Sequence, residues 1–374
     1  MRAIKLAINA VPLAPGGGLV VLLGYLEAWK NIGAPLDIVV FASRQFVIDA
    51  IKEVRPDIEV IPFAYGKPSW AHYLLQQTVL GRTIMKHRPD VVMNTNMSAP
   101  NCSVPQIVHH QNLYRWLYRT PWAWVKQRKF AEIVKDVSAH RSYHSSACNV
   151  FISEYMKKTA QEVAGGLGTK DCVIYNSLPD DLTDQRKDCP NNSIERFQLL
   201  AIQDIQPHKD NETLLRVLHS LIQERPEIHW VLNIAGSGNW DPVKKRASEL
   251  GIDDRVNFLG YVSRAQLTML FERSLCLVFT SILEAFGNPP LEAMAAGCPV
   301  VACDCTAIPE VVGEAGVLVA PGNIGAFATA IQSFYDDETF RQEYIGRGLE
   351  RVKRFSISES ATSMLRVIEN VSQH

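Results

Sequence analysis

Short apolar runs of strand length alternate along the chain with stretches whose apolar residues recur every three or four positions. In the first half this pattern predicts strands at Ile4–Ile8, Asp37–Phe41, Asp90–Met93 and Gln106–Val108, with helices at Leu19–Asn31 and Gln45–Val54. After residue 195 it restarts. Strands are predicted at Phe197–Ile202, Trp230–Ala235, Val256–Leu259, Leu275–Thr280 and Val300–Ala302, and helices at Asn211–Glu224, Pro242–Leu250, Arg264–Arg273 and Pro289–Ala296. Strand-helix alternation of this kind means a parallel sheet covered by helices on both faces, here twice. Between the two series, Asn176–Ser193 is polar, carries two prolines and has neither periodicity, which marks a connection. The expected layout is a first α/β domain over 1–180, a linker over 181–195 and a second α/β domain over 196–355. Residues 356–374 are a closing helix: Ile357, Ala361, Met364, Leu365 and Ile368 stand at helical spacing, and a return to the first domain is one course for it.

Composition narrows the functional classes. The 374 residues suffice for two hydrophobic cores, and 47% hydrophobic with 21% charged residues is ordinary for a compact chain. Lys and Arg number 38 against 39 Asp and Glu, so no basic field exists to gather nucleic acid. The halves differ: residues 1–185 hold 20 basic and 15 acidic side chains, or +5, and 186–374 hold 18 and 24, or −6. Two domains facing different partners would account for this. The eight cysteines show no C-x-x-C pair and read as reduced thiols of a cytosolic protein. Cys303 and Cys305, joined by a histidine, are the alternative metal-site reading. The opening apolar stretch is broken by Lys5, Asn9, Pro12 and Pro15, unlike a signal peptide, and no run approaches the ~20 apolar residues that span a bilayer.

Doubly wound sheets bind ligands beyond the carboxyl ends of their strands, where glycine turns bring backbone N–H groups and helix N-termini to phosphate. Pro15-Gly16-Gly17-Gly18 follows the first strand, and Gly236-Ser237-Gly238 follows Trp230–Ala235. Neither is a full dinucleotide fingerprint, and each is equally a tight strand-to-helix connection. The most informative stretch is Thr280–Asp304, TSILEAFGNPPLEAMAAGCPVVACD. It places Glu284 at a strand end, then Gly287-Asn288-Pro289-Pro290-Leu291, then Glu292 in the first turn of a helix. Two prolines can open a helix whose free N–H groups face a diphosphate without any metal.

This stretch resembles the E-x7-E motif of retaining family-4 glycosyltransferases of the GT-B fold. The flanking Ile308-Pro309-Glu310-Val311-Val312 and Gly316-Val317-Leu318-Val319 agree with that family, as do NVFISEYMKK and VIYNSLPD in 148–180. The resemblance implies two Rossmann-like domains facing a cleft, the second holding a UDP- or GDP-linked sugar and the first a glycan or lipid-linked acceptor. It implies a hexose transferred with retained anomeric configuration in O-antigen or other surface-polysaccharide synthesis, with no metal and no organic cofactor. Glu284 would face the transferred sugar and Glu292 the ribose hydroxyls. Read without the resemblance, Glu292 is a helix-dipole partner and Glu284 a surface acid. Ala201–Asp210, AIQDIQPHKD, aligns with the family segment in which an Arg and a Lys five residues apart hold the diphosphate. Lys209 is present. The Arg position is Asp204, a reversal of charge that leaves Lys209, the helix N-terminus and Gly16–Gly18 to balance the phosphates.

At the end of Gln106–Val108, His109 and His110 compete for the place of a family histidine that contacts the donor sugar, with His110 preferred. Asn94 and Asn96, at the same sheet edge, are candidates for sugar or acceptor hydroxyls, or else loop caps. Residues 113–130 carry five cations, no acid and six aromatics, among them Trp122 and Trp124. That composition suits the headgroup level of an anionic membrane, on its cytoplasmic side; aromatic core packing is the alternative. A nucleotide-sugar epimerase on the same fold and a degenerate carbohydrate-binding relative remain the competing readings.

Overall fold

The structure, a computed structural model, describes residues 2–14, 16–63, 70–97, 99–116, 130–166, 170–178 and 195–373. The chain divides into two compact units, one formed by Met1–Ser177 with Ile357–His374 and the other by Leu178–Ser356. Of the expected linker, only Glu195 is described, as the first residue of a strand.

The first unit runs β1 (Ile4–Asn9), α1 (Gly17–Asn31), β2 (Leu36–Ala42), α2 (Gln45–Val54), β3 (Glu59–Pro62), α3 (Trp70–Lys86), β4 (Val91–Asn94), β5 (Gln106–His110), α4 (Phe130–Ser145), β6 (Cys148–Phe151), α5 (Glu154–Ala164) and β7 (Asp171–Val173). Its strands form one parallel sheet in the order β3-β2-β1-β4-β5-β6-β7. The second unit runs β8 (Glu195–Ile202), α6 (Asn211–Glu224), β9 (Val231–Ala235), α7 (Asp241–Glu249), β10 (Val256–Gly260), α8 (Arg264–Arg273), β11 (Ser274–Phe279), α9 (Asn288–Ala295), β12 (Val300–Cys303), α10 (Ile308–Val312), β13 (Val317–Val319), α11 (Ile324–Asp336) and α12 (Glu338–Val352). Its parallel sheet is ordered β10-β9-β8-β11-β12-β13. The central strands read as unbroken apolar runs because both faces are covered: every residue of β5 and of β11 is buried.

In each sheet the strand order reverses direction beside the first strand of the unit, between β1 and β4 and between β8 and β11. Such switch points open a crevice at the carboxyl ends of the strands, since the flanking connections leave in opposite directions. The glycine turn after β1 and Asn96 after β4 fall at the first. Lys209 after β8 and Glu284 after β11 fall at the second.

The closing helix, α13 (Ile357–Ser372), belongs to the first unit. It buries Ala361, Met364, Ile368 and Val371 in the core that also holds Leu22, Leu26 and Trp29 of α1. The Trp29 indole N–H donates to the carbonyl of Ala361 at 2.8 Å. Approach is close enough that a Cβ on Gly24 would stand 2.7 Å from Ile357 Cδ1, so a side chain at this α1 position would force Ile357 to shift. Ile368, wholly buried in the core it shares with α1, should repay truncation with a large loss. Ile368→Ala is expected to lower unfolding free energy by about 2–5 kcal/mol in denaturant titrations; a change within 0.5 kcal/mol, roughly that of a surface site, would show that the helix is not docked.

Candidate active site

At the second switch point the chain leaves β8 through Gln203–Gln206 and makes a single 3-10 turn, Pro207–Lys209, before Asp210 caps α6 by accepting from the Thr213 N–H. The turn is tied to the end of β11. Thr280 Oγ1 donates to the carbonyl of Lys209 at 3.0 Å, and the Ile282 N–H donates to the carbonyl of His208 at 2.8 Å. These ties fix where the Lys209 side chain starts. Its Nζ lies 2.7 Å from Glu284 Oε1, with the two side chains only 16% and 17% exposed, and 5.7 Å from the centre of the Phe279 ring. Ser281 Oγ lies 2.7 Å from the same carboxylate oxygen, and the Glu284 N–H donates to Thr306 Oγ1 at 3.2 Å. Thr306 adopts a left-handed conformation (φ 53°), which aims its hydroxyl at that strand end. His208 is buried and its pKa is lowered by that burial and by Lys209, so it adds no charge at neutral pH.

Glu292 sits in the first turns of α9. That helix starts at Gly287 with no side-chain cap and has Pro289 and Pro290 in its first turn, so Gly287 and Asn288 carry the backbone N–H groups nearest its open end. Burial pushes the Glu292 carboxyl up to about 7, against an opposing pull from Arg264. A buried carboxyl without a close cation is costly to ionise unless donors approach it. The Leu291 N–H reaches only the Gly287 carbonyl, at 3.4 Å.

One expectation in this unit changes, and the charge reversal at Asp204 gains a structural setting. The Gly236 N–H donates to the carbonyl of Gly260 at 2.9 Å, so it is not free for phosphate. Glycine is required there for a different reason: φ is 154°, and a Cβ would come within 1.8 Å of the Gln203 carbonyl oxygen. Asp204, at the place of the expected cation, has a buried Oδ1 with no hydrogen-bond partner. Among the described residues, Lys209 is thus the cation that the turn supplies, and it is already paired with Glu284.

In the first unit, Gly16 is the uncapped start of α1, with φ 138°, and Gly17 and Gly18 lie inside the helix rather than in a loop before it. A Cβ on Gly18 would meet Gln111 Oε1 at 2.5 Å, so a side chain there would displace the Gln111 amide. Gly16–Gly18, Asn96 and Gln111 line a recess of about 240 Å³. Asn94 is not part of it. Its side chain is fully buried, accepting from Asn9 Nδ2 at 3.0 Å and donating to Gln106 Oε1 at 3.1 Å, which makes it a tie between β1 and β5.

The two histidines part to opposite faces of β5. His110, the preferred candidate, is enclosed: its ring stacks on Phe151 at 4.5 Å, Trp116 and Tyr143 lie against it, and its Nε2–H donates to Asn149 Oδ1 at 2.9 Å. His109 stacks on Tyr25 and meets Gln111 Nε2 through Nδ1 at 3.2 Å. His109 is thus the ring that touches Gln111, a lining residue of the glycine recess, while neither histidine lines the recess itself. Burial lowers both rings, to about 3 for His109 and about 4 for His110, so both are neutral at pH 7. Of the basic aromatic segment 113–130, residues 117–129 lie outside the described residues; Leu113 and Trp116 are buried. Ser281, Thr306 and Gln111 were not anticipated from the sequence. Ser281, three residues before Glu284, and Gln111, directly after His110, stood close enough to candidate residues to be found.

Residues 184–351 match the model of the glycosyl transferases group 1 family. This segment is a group 1 glycosyltransferase domain. The chain resembles O-antigen chain mannosyltransferase B of Escherichia coli, 31% identical over 180 residues, which is 46% of this chain and 47% of that protein. It is also 32% identical over 170 residues to phosphatidyl-myo-inositol mannosyltransferase of Mycobacterium leprae, 45% of this chain and 44% of the relative. The matches thus span about half the length of these curated relatives. The crystal structure of Anabaena HepE in complex with UDP-glucose superposes with a TM-score of 0.74 at 19% identity, covering 99% of this chain and 100% of that one. This likeness shows the fold, two Rossmann-like domains of GT-B type. The glycosyltransferase domain holds Lys209, Glu284, Glu292 and the open N-terminus of α9.

Proposed function

We propose that the protein is a retaining, metal-independent hexosyltransferase that moves a sugar from a UDP- or GDP-linked donor to a glycan or lipid-linked glycan in surface-polysaccharide synthesis. The observation that carries this reading is the half-buried Lys209–Glu284 pair at the switch point of a group 1 glycosyltransferase domain, beside an uncapped helix start. Breaking the donor C–O bond leaves growing charge on the diphosphate. Lys209 and the Gly287 and Asn288 amides meet that charge, and on diphosphate binding Lys209 exchanges Glu284 for phosphate. Glu284, released, faces the oxocarbenium-like sugar, and Glu292 accepts from the ribose hydroxyls. The amides at the start of α1, Gly16–Gly18, add N–H groups for the diphosphate, and Asn96 accepts from or donates to sugar or acceptor hydroxyls. The O-antigen mannosyltransferase relative supports the polysaccharide setting, and the HepE complex supports a UDP-sugar as one donor to test.

Thermal unfolding with a panel of UDP-, GDP-, ADP- and dTDP-sugars tests the donor assignment. A cognate donor at about a hundred times its Kd adds roughly 2.7 kcal/mol to stability, a shift of several degrees; no shift with any member would refute it. An epimerase would return an altered nucleotide sugar, and a binding relative would return the donor unchanged.

No helix among the described residues is long and apolar enough to cross a membrane. We place the protein at the cytoplasmic face through 113–130, whose five cations and six aromatics support peripheral docking. In sedimentation with anionic vesicles, wild type should pellet at low salt and be only partly released at high salt, because indole burial is insensitive to screening. Trp122→Ala with Trp124→Ala should abolish the salt-resistant part. Wild type wholly in the supernatant at low salt would return the segment to core packing and make a soluble glycan the acceptor.

A further inference from the structure

The first sheet has a second opening, at the end opposite the glycine recess. A cavity of about 1000 Å³ lies at the amino ends of β5, β6 and β7, where Gln106, Cys148 and Asp171 begin their strands. Cys148 and Cys172 stand in its wall as free, half-buried thiols whose Sγ atoms are 3.8 Å apart. Arg141 and Lys170 line the same cavity. In the parallel register Val150 lies opposite Cys172, so Cys148 is its diagonal neighbour on the same face of the sheet. Forming a bond from this position requires β7 to slide toward Cys148. That strand is three residues long and, among the described residues, pairs with β6 alone at the sheet edge, so the slide strains the Asp171 hydrogen bonds to Tyr143 and Gln161 rather than a second strand.

We propose that Cys148 and Cys172 are a redox-active pair that exchanges with an anionic low-molecular-weight disulfide entering this cavity, and that closes to a disulfide joining β6 to β7. With glutathione disulfide as oxidant, the Cys172 thiolate attacks one sulfur, the glutathione S–S bond breaks and one glutathione thiolate leaves. Cys148 then loses its proton and attacks the Cys172 sulfur of the mixed disulfide, displacing the second glutathione. Two protein thiols are oxidised, one glutathione disulfide is reduced to two thiols, and the two protein protons end on them. The two sulfurs share one hydrogen bond that favours the thiolate of whichever ionises, and Cys172 is assigned the first attack because Lys157 lies near it. Cys102, in the same wall, is pushed up to about 11 by burial and stays protonated. A cavity of this volume admits a tripeptide disulfide arm, and the two cations meet its carboxylates. Closure moves Asp171, whose carboxylate holds Tyr143 Oη at 2.7 Å and Gln161 Nε2 at 3.0 Å, so the edge of the sheet registers the oxidation.

Peptide mapping of the full chain after glutathione disulfide treatment and alkylation tests this without reference to transferase activity. The expected result is a peptide pair joined through Cys148 and Cys172, with no lasting glutathione adduct on either, and with the remaining described thiols alkylated. Cys148→Ser should trap glutathione on Cys172, since the resolving thiol is gone. Cystamine, a cationic disulfide, should react about tenfold more slowly than glutathione disulfide. Both thiols alkylated in treated wild type, or a stable mixed disulfide there, would overturn the pair. Equal rates with the two disulfides would overturn the anionic ligand class. The wild-type map decides the first point even where the variant fails to fold.

Discussion

Lys209→Ala is expected to lower kcat by about a hundredfold to a thousandfold while changing donor Kd by less than about tenfold, because the charge it meets grows toward the transition state. The pairing with Glu284 sharpens the test. In the absence of donor the two side chains neutralise each other at 2.7 Å, so alanine at 209 also leaves a half-buried carboxylate without its cation. Lys209→Met combined with Glu284→Gln removes both charges and should restore most of the stability lost in Lys209→Ala. It should not restore turnover. A double variant with wild-type kcat would make the pair a structural tie, and would mean that Asp204 marks a phosphate site organised in another way.

Glu292→Ala is expected to weaken binding of the cognate nucleotide sugar by about 1–3 kcal/mol in calorimetry, the cost of losing a buried acceptor for two hydroxyls. The pH dependence has a definite sign. The fold raises this carboxyl from 4.5 to about 7, so the folded chain holds the proton more tightly than the unfolded one. Its contribution to stability is present below about 4.5 and is lost as pH rises to about 7. Hydroxyl donors favour the ionised form, so donor affinity should rise through pH 7 in wild type and become flat in Glu292→Gln. Unchanged affinity in a folded Glu292→Ala would remove Glu292 from the ribose site.

The central strands were legible because they are buried on both faces: the apolar runs at Ile4–Ile8, Phe197–Ile202 and Leu275–Thr280 each lie within, or overlap, an observed strand. Among the edge strands Val256–Gly260 is legible and the others are not, and the short interior strand Cys148–Phe151 also gives too brief a run. Glu59–Pro62 and Asp171–Val173 are short, half exposed and mixed in polarity, and they were not anticipated. The closing helix could be read from its spacing, but its docking on α1 rests on Gly24 and Trp29, more than 330 residues away, and no local pattern reports that. The site shows the same division. Glu284, Glu292 and Lys209 stand in motifs, and the fold brings Lys209 and Glu284 into contact. Gly236 and Asn94 looked like ligand groups because glycines and amides at strand ends often are. In the fold they are occupied, Gly236 by the Gly260 carbonyl and Asn94 by Asn9 and Gln106. Whether a polar group at a sheet edge is free depends on partners across the sheet, which spacing along the chain does not reveal. The two histidines illustrate it most simply: adjacent residues of a strand face opposite ways, and only contacts decide which face leads to the recess.

The most direct test of the account is proton NMR of each nucleotide sugar incubated with the full chain in EDTA and no acceptor, wild type beside Glu284→Gln. Wild type should slowly release nucleoside diphosphate from its cognate donor, with the free sugar appearing first in the donor's own anomeric configuration, and Glu284→Gln should release neither. Inverted sugar, an epimerised nucleotide sugar, or turnover that appears only when divalent metal is restored would contradict it.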